Sequence, residues 1–257
     1  MIRSVIKKLS FFPKAMNCAL VPADMFFYII SYPRSGNTWV VNSLRDYLGA
    51  QRGEVLPSVY NGDIVRLGKT TLVKVAGSFD RTLPLGVKSH MSRNEFMRKK
   101  CPENRMICLL RDGRDVMISE YFYLFGFKAQ DFYKVVHFSN EQFSEFLENR
   151  LKLYLDNVKS WLTIKNALLV RYEDLHENYI SELKRIRDFL NFRQIMDEKE
   201  VKKKNVDDFR SILKGDNLAF YRKGIVGDWK NYFDEKNLKL YFSIVGHLHQ
   251  ELGYEID

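Results

Sequence analysis

The stretch Phe26-Phe27-Tyr28-Ile29-Ile30-Ser31-Tyr32-Pro33-Arg34-Ser35-Gly36-Asn37-Thr38-Trp39 decides how this chain is read. Its first five residues are a continuous run of aromatic and β-branched side chains, the pattern of a strand buried on both faces, and Pro33 and Gly36 break it. Val40, Val41, Leu44, Tyr47 and Leu48 then fall on one helical face. A strand that turns through a glycine into a helix makes backbone N–H groups converge at the positive end of that helix, where an anion is stabilised. Arg34 adds a cation there, and Ser35 and Thr38 add hydroxyl donors. The same pattern also fits an ordinary strand–turn–helix corner capped by Ser or Thr.

Working outward, further strands are expected at Leu85 to Lys88, Met106 to Leu110 and Ala167 to Val170, each followed by a polar segment and a helix-like pattern. Phe143, Phe146, Leu147, Leu151, Tyr154, Leu155, Val158, Trp161 and Leu162 trace a long amphipathic helix between two of them. Strands alternating with helices predict an α/β fold, a central mainly parallel sheet flanked by helices. In such sheets ligands bind beyond the carboxyl ends of the strands. The chain has no internal repeat, low-complexity tract or Gly/Ser linker, so residues 1–257 are expected to form a single domain, with 1–24 an N-terminal extension or a flank of the acceptor site.

Composition narrows the partners. At 257 residues and 46% hydrophobic content the chain can bury a large core. Its formal net charge of +9 favours anionic ligands. Lys202-Lys203-Lys204 reads as a solvated face, because no aromatic platform of the kind that stacks single-stranded nucleic acid is interleaved with it, and nucleic acid is not expected. Cys18, Cys101 and Cys108 lack CxxC spacing, which argues against a disulfide framework or thiolate zinc site and fits a reducing cytoplasm. No apolar run approaches the ~20 residues that span a bilayer, so no integral membrane segment is expected. The basic start Met1 to Lys8 is followed by Phe11 and Phe12, but Pro13, Lys14 and Asn17 interrupt what a signal peptide would need as its apolar centre.

The loop 31–39 is informative for what it lacks. A nucleoside triphosphatase loop reads GxxxxGK[ST], with Lys on the β/γ-phosphates and Ser/Thr on Mg²⁺; here Ser31 replaces the first Gly and Asn37 the Lys. Three other segments stand at predicted strand ends. Arg111-Asp112-Gly113-Arg114-Asp115-Val116-Met117-Ile118-Ser119 follows a strand, and its Arg and Ser can face one cleft; the alternative is a plain helix start, with Arg114 in a surface ion pair. Phe220-Tyr221-Arg222-Lys223-Gly224-Ile225-Val226-Gly227-Asp228-Trp229-Lys230 sets two cations beside two glycines, suited to wrapping a dianion. Val87-Lys88-Ser89-His90 ends a strand with an imidazole, whose unperturbed pKa of ~6.5 suits general-base work; a lone His is also a common structural residue. Of the other histidines, His137, His176, His247 and His249 are read as surface or structural.

Together these segments, with Val170-Arg171-Tyr172-Glu173-Asp174-Leu175, resemble the cytosolic sulfotransferase family in sequence and in order. The loop resembles its 5′-phosphosulfate loop, YPKSGTTW, with Arg34 where Lys is usual and Asn37 where Thr is usual. The 111–119 segment resembles its 3′-phosphate motif RNPxDVxxS, 222–230 resembles RKGxxGDWK, 172–175 its YEDL segment, and 88–90 its KTH. The resemblance implies a sulfotransferase fold with a P-loop-like phosphosulfate loop. It implies transfer of a sulfuryl group from 3′-phosphoadenosine 5′-phosphosulfate (PAPS), without a metal, leaving adenosine 3′,5′-bisphosphate (PAP). By the same carry-over, His90, Lys88 and Arg34 are catalytic. Arg34, Ser35, Gly36, Asn37, Thr38, Trp39, Arg111, Ser119, Tyr172, Phe220, Arg222, Lys223 and Gly224 bind the donor. Unlike Lys, Arg34 keeps the charge but cannot hand a proton to the leaving phosphate.

The acceptor implied is a small alcohol, phenol or amine, shaped by 57–79, 83–85, 126–138 and parts of 205–219, where the family match fades. Three alternatives stay open. A nucleotide kinase would require ATP and Mg²⁺, and a non-catalytic nucleotide-binding module would bind without turnover. A membrane-associated enzyme acting on glycans or protein tyrosines commonly carries an N-terminal anchor and a Glu base. Oligomeric state is also open: the family's dimer motif KxxxTVxxxE would start at Lys230, but Asp234, Glu235 and Lys239 depart from it.

Overall fold

A computed structural model describes residues 18–54, 66–67, 70–75, 80, 82–98, 105–127, 138–164, 166–193, 195–205, 208 and 222–256. One sheet runs through it in the order β1 (Cys18–Pro22), β5 (Thr70–Val75), β3 (Gln51–Glu54), β6 (Leu85–Ser89), β2 (Phe26–Ile30), β7 (Met106–Leu110) and β8 (Ala167–Arg171), with β4 (Arg66–Leu67) also on β5. From β3 to β8 every pairing is parallel, and the antiparallel strands lie at the β1 side. The four strands expected from sequence all form, and β6 and β8 run one residue further than their apolar patterns. β1, β3, β4 and β5 were not among the expected strands, although Thr70–Val75 is six residues rich in β-branched side chains.

The continuous apolar runs are explained by position. β2 and β7 are buried along their whole length because helices cover both faces of the sheet. Phe27, Ile29, Ile107, Leu109 and Val170 pack on one side against α1 (Asn37–Leu48) and α6 (Tyr179–Leu190). Phe26, Tyr28, Ile30, Leu85, Val87 and Cys108 pack on the other, against Phe96 of α2 (Arg93–Arg98) and Trp161 of α4 (Asn140–Leu162). A third cluster joins Val116, Met117 and Tyr121 of α3 (Gly113–Phe122) to α4 and to Tyr241, Val245 and Leu248 of α7 (Glu235–Glu251). Side-chain caps start three of these helices: Asp112 accepts from Arg114 N, Ser139 from Gln142 N and Asp234 from Asn237 N.

Strand register positions the site. Ile30 lies opposite Ser89, and Leu110 opposite Arg171. Ser31, His90, Arg111 and Tyr172, each the first residue beyond its strand, therefore emerge at the same end of the sheet. The chain leaves β2 for β3 on one side and crosses from β6 to β7 on the other, so this end is the switch point where α/β sheets open a crevice. Ile29 is wholly buried in the central strand. Ile29→Ala is expected to cost about 2–5 kcal/mol in urea unfolding, and a loss below ~1 kcal/mol would contradict its place there.

Candidate active site

The loop after β2 folds tightly over the sheet end. Gly36 caps α1 with φ at 99°, and a Cβ built on it would stand 2.6 Å from Tyr172 Cδ2, so both backbone and space require glycine. Arg34 also has positive φ, 71°, an unusual backbone for a non-glycine residue. Its Nε donates to Ser119 Oγ at 3.2 Å, and its guanidinium sits 4.7 Å from the Tyr123 ring centroid. Burial, the largest cause, lowers the Arg34 pKa to about 10; Tyr123 opposes the shift, and Arg111 and Arg222 add to it.

Arg111 leaves β7 buried. It donates from Nη1 to Arg34 O at 3.3 Å and from Nη2 to Ile225 O at 3.0 Å, and stacks 4.3 Å over Tyr172. Its Nε is buried with no hydrogen-bond partner among the described residues, a donor left over in a site rich in cations. Asp115, fully buried, joins this corner to the far loop. One carboxylate oxygen accepts from Gly227 N at 2.8 Å, the other from Trp229 N at 2.9 Å, and Arg111 Nη2 lies 3.5 Å away. Burial raises the Asp115 pKa while Arg111 and the two N–H groups oppose the rise. Residues 222–229, more than a hundred positions downstream, are thus fixed beside Arg111. There Arg222 pairs with Asp228 at 2.5 Å, and Lys223 donates to Asp228 and to Tyr232 Oη, both at 3.1 Å.

Arg114 departs from the surface ion pair considered above. It is buried, paired with Asp112 at 2.9 Å and stacked 3.7 Å over Trp229. Asp115 and Arg114 therefore both hold the 222–230 loop through its backbone and its indole.

The structure gathers nearly all the expected residues around one cavity of about 470 Å³. Arg34, Gly36, Asn37, Thr38, Trp39, Lys88, His90, Arg111, Ser119, Tyr172, Arg222, Lys223 and Gly224 line it. Ser35 is buried within the loop, its N–H donating to Tyr32 O, and Phe220 lies outside the described residues, as do Cys101, His137 and most of the segments expected to shape the acceptor site. His90 Nδ1 is 3.0 Å from Ser31 O. A carbonyl only accepts, so Nδ1 carries the proton and the lone pair sits on Nε2.

Sequence reasoning missed six lining residues, Pro33 and Asn205 among them. Tyr123 and His176 each follow an expected site residue by four, Ser119 and Tyr172, a spacing that sets them on one helical face. Lys203 and Lys204, read above as a solvated run, instead reach the cavity rim: Trp39 Nε1 donates to Lys204 O at 3.2 Å, and Lys204 pairs with Asp46. Their run of like charge gave no sequence cue to this contact.

Residues 24–247 match the family model of the sulfotransferase domain. The chain belongs to the sulfotransferase family. Among its relatives, sulfotransferase 2A6 of Mus musculus is 25% identical over 237 residues, covering 83% of this chain and 80% of the relative. Sulfotransferase 1E1 of Rattus norvegicus is 24% identical over 257 residues, covering 83% and 79%. Among solved structures, mouse sulfotransferase SULT7A1 complexed with PAP superposes with a TM-score of 0.60 at 20% identity, covering 90% of each chain. Retinol dehydratase, in complex with androsterone and PAP, gives 0.58 at 19% identity, covering 89% of this chain and 81% of that one. The enzyme class is that of a PAPS-dependent sulfotransferase, and the fold is the family's α/β fold. No helix among the described residues is long and apolar enough to cross a membrane, and no metal-ligating cluster occurs among them.

Asp115 is the most exacting contact of this sulfotransferase's site. Asp115→Ala would leave two backbone donors unpartnered and Arg111 without its carboxylate in a dry environment, and is expected to cost about 3–5 kcal/mol of stability. Urea unfolding checks it, and a loss below ~1 kcal/mol would mean that the downstream loop is held by something else.

Proposed function

We propose that this chain, acting as one domain over residues 1–257, moves a sulfuryl group from PAPS to a hydroxyl or amine of a small molecule by in-line displacement. The observation that carries the reading is the cavity into which Arg34, Arg111, Arg222 and Lys223 converge from three separated segments, lined also by His90, whose lone pair is on Nε2. Four cations gathered in one crevice suit a nucleotide that is anionic at both its 3′- and 5′-phosphates. In this reading Arg111, Ser119, Arg222 and Lys223 hold the 3′-phosphate. The backbone and side chains of 34–38 hold the 5′-phosphosulfate. Trp39, Tyr172 and Phe220 hold the adenine.

The chemistry follows from placement. The acceptor oxygen or nitrogen attacks sulfur as its proton passes to His90 Nε2, while the bond from sulfur to the bridging phosphate oxygen breaks and PAP departs with that electron pair. Ser31 O, by fixing the proton on Nδ1, keeps the receiving nitrogen pointed away from the strand. Lys88 and Arg34 face charge that builds on the sulfuryl oxygens and the leaving phosphate, where fixed cations in a crevice count for more than in water. A phosphate monoester has a second pKa near ~6, so the leaving group needs no proton from Arg34 at neutral pH.

A small acceptor fits relatives whose structures hold androsterone or retinol. The cytoplasm is the compartment this reading favours, with Cys108 a buried free thiol whose pKa burial pushes up to about 12. A kinase is disfavoured because Asn37 takes the place of the loop Lys, with its amide turned to Ile29 O and Ser89 O.

Incubation with PAPS and a panel of phenols, aliphatic alcohols, guanidines and amines, with and without chelator, should add the mass of one SO₃ to at least one acceptor, unaffected by chelation. His90→Ala should lower kcat by roughly 10²–10⁴ with little change in PAPS affinity. Turnover near the wild-type rate in that variant would remove His90 from the role of base.

A further inference from the structure

His176 lies four residues after Tyr172 in the short helix α5 (Tyr172–Glu177) and lines the cavity. Its ring is 4.7 Å from that of Tyr172 and 4.9 Å from the Trp39 indole, the two aromatics of the same wall. Trp39 is itself fixed, stacked on Tyr179 at 5.9 Å and tied through Nε1 to Lys204 O. An imidazole among such rings is more than another apolar face, because one of its nitrogens always carries a proton.

The neighbouring ammonium decides which one. Lys203 Nζ stands 3.4 Å from His176 Nδ1 and also donates to His176 O. An ammonium has only donors, so Nδ1 is the acceptor and the ring proton sits on Nε2. Burial, then Lys203 and Arg111, lower the His176 pKa to about 4, which keeps the ring neutral and this tautomer in place at physiological pH. Among the described residues no group meets Nε2. A neutral N–H at the aromatic end of the cavity is matched by a ring nitrogen of a purine, which presents a lone pair in the plane of the base.

We propose that His176 is a specificity residue that donates from Nε2 to a ring nitrogen of the donor's adenine, with Lys203 fixing its tautomer. The inference rests on the donor-site reading above and adds to it a polar contact that stacking alone does not supply. Aromatic walls accept any base, whereas a directed donor selects for a base with an acceptor at that edge, and a site built on such a hydrogen bond discriminates against analogues lacking it.

The test is calorimetric titration of PAP and of its 1-deaza, 3-deaza and 7-deaza analogues, each of which replaces one ring nitrogen by CH. Wild-type protein should lose about tenfold in affinity for one of the three. His176→Phe, which keeps a ring but no donor, should bind PAP about tenfold more weakly and no longer distinguish that analogue. His176→Gln, which restores an N–H, should recover part of the discrimination. PAP binding unchanged in His176→Phe, or equal sensitivity to the same analogue in wild type and variant, overturns the role of His176 alone. Failure of wild type to take up PAP at all overturns the donor site, and this inference with it.

Discussion

The carboxylate of Asp115 is the constraint on which the rest of the site depends. It sits in the first turn of α3 with no exposed surface, and both oxygens are committed to backbone N–H groups of a loop more than a hundred residues away. A buried carboxylate is costly unless it is paired and hydrogen-bonded, so this arrangement holds only while 222–229 lies against Arg111. The adjacent stack of Arg114 on Trp229 closes the same joint from the other side. Two stretches of chain, each a modest basic motif alone, become one cationic wall because one acid between them has nowhere else to place its charge.

The second wall is set by strand register. Four parallel strands in fixed register, β2 and β6 ending together and β7 and β8 together two residues further on, deliver Ser31, His90, Arg111 and Tyr172 to one crevice without long loops to adjust. Register is rigid where both faces are buried, since a one-residue slip would turn every apolar side chain of β2 and β7 the wrong way. The imidazole of His90 thus meets a carbonyl of the neighbouring strand's end, and its tautomer follows from sheet geometry and needs no dedicated acid. Placement on strand ends also explains how a strained residue such as Arg34 persists: its positive φ is over-determined by the turn, by Ser119 and by Tyr123.

How much of this was legible in the sequence depended on whether the signal was local. The buried parallel strands announce themselves as unbroken apolar runs, and the glycine turn, the 111–119 helix start and the Arg222-Lys223-Gly224 loop carry their residues contiguously. Two strands toward the β1 side did not: Gln51–Glu54 and Arg66–Leu67 are short and polar, and pair because of neighbours brought up by the fold. Arg114 gave no sign of burial, since its partner Trp229 is distant in sequence. Lys203 and Lys204 look solvated in a run of charges, and contacts with Trp39, Asp46 and His176, all distant in sequence, draw them to the rim. His176 and Tyr123 were readable in retrospect from their spacing of four, one helical turn from a residue already singled out.

The central claim is that segments 34–39 and 222–229 are two sides of one nucleotide site, and hydrogen–deuterium exchange on addition of PAP tests it most directly. Both segments should slow in exchange together, at the same nucleotide concentration, with the N–H groups of Gly227 and Trp229 already protected by Asp115 before it is added. Slowing confined to one segment, or absent from both at saturating nucleotide, would contradict a shared cavity.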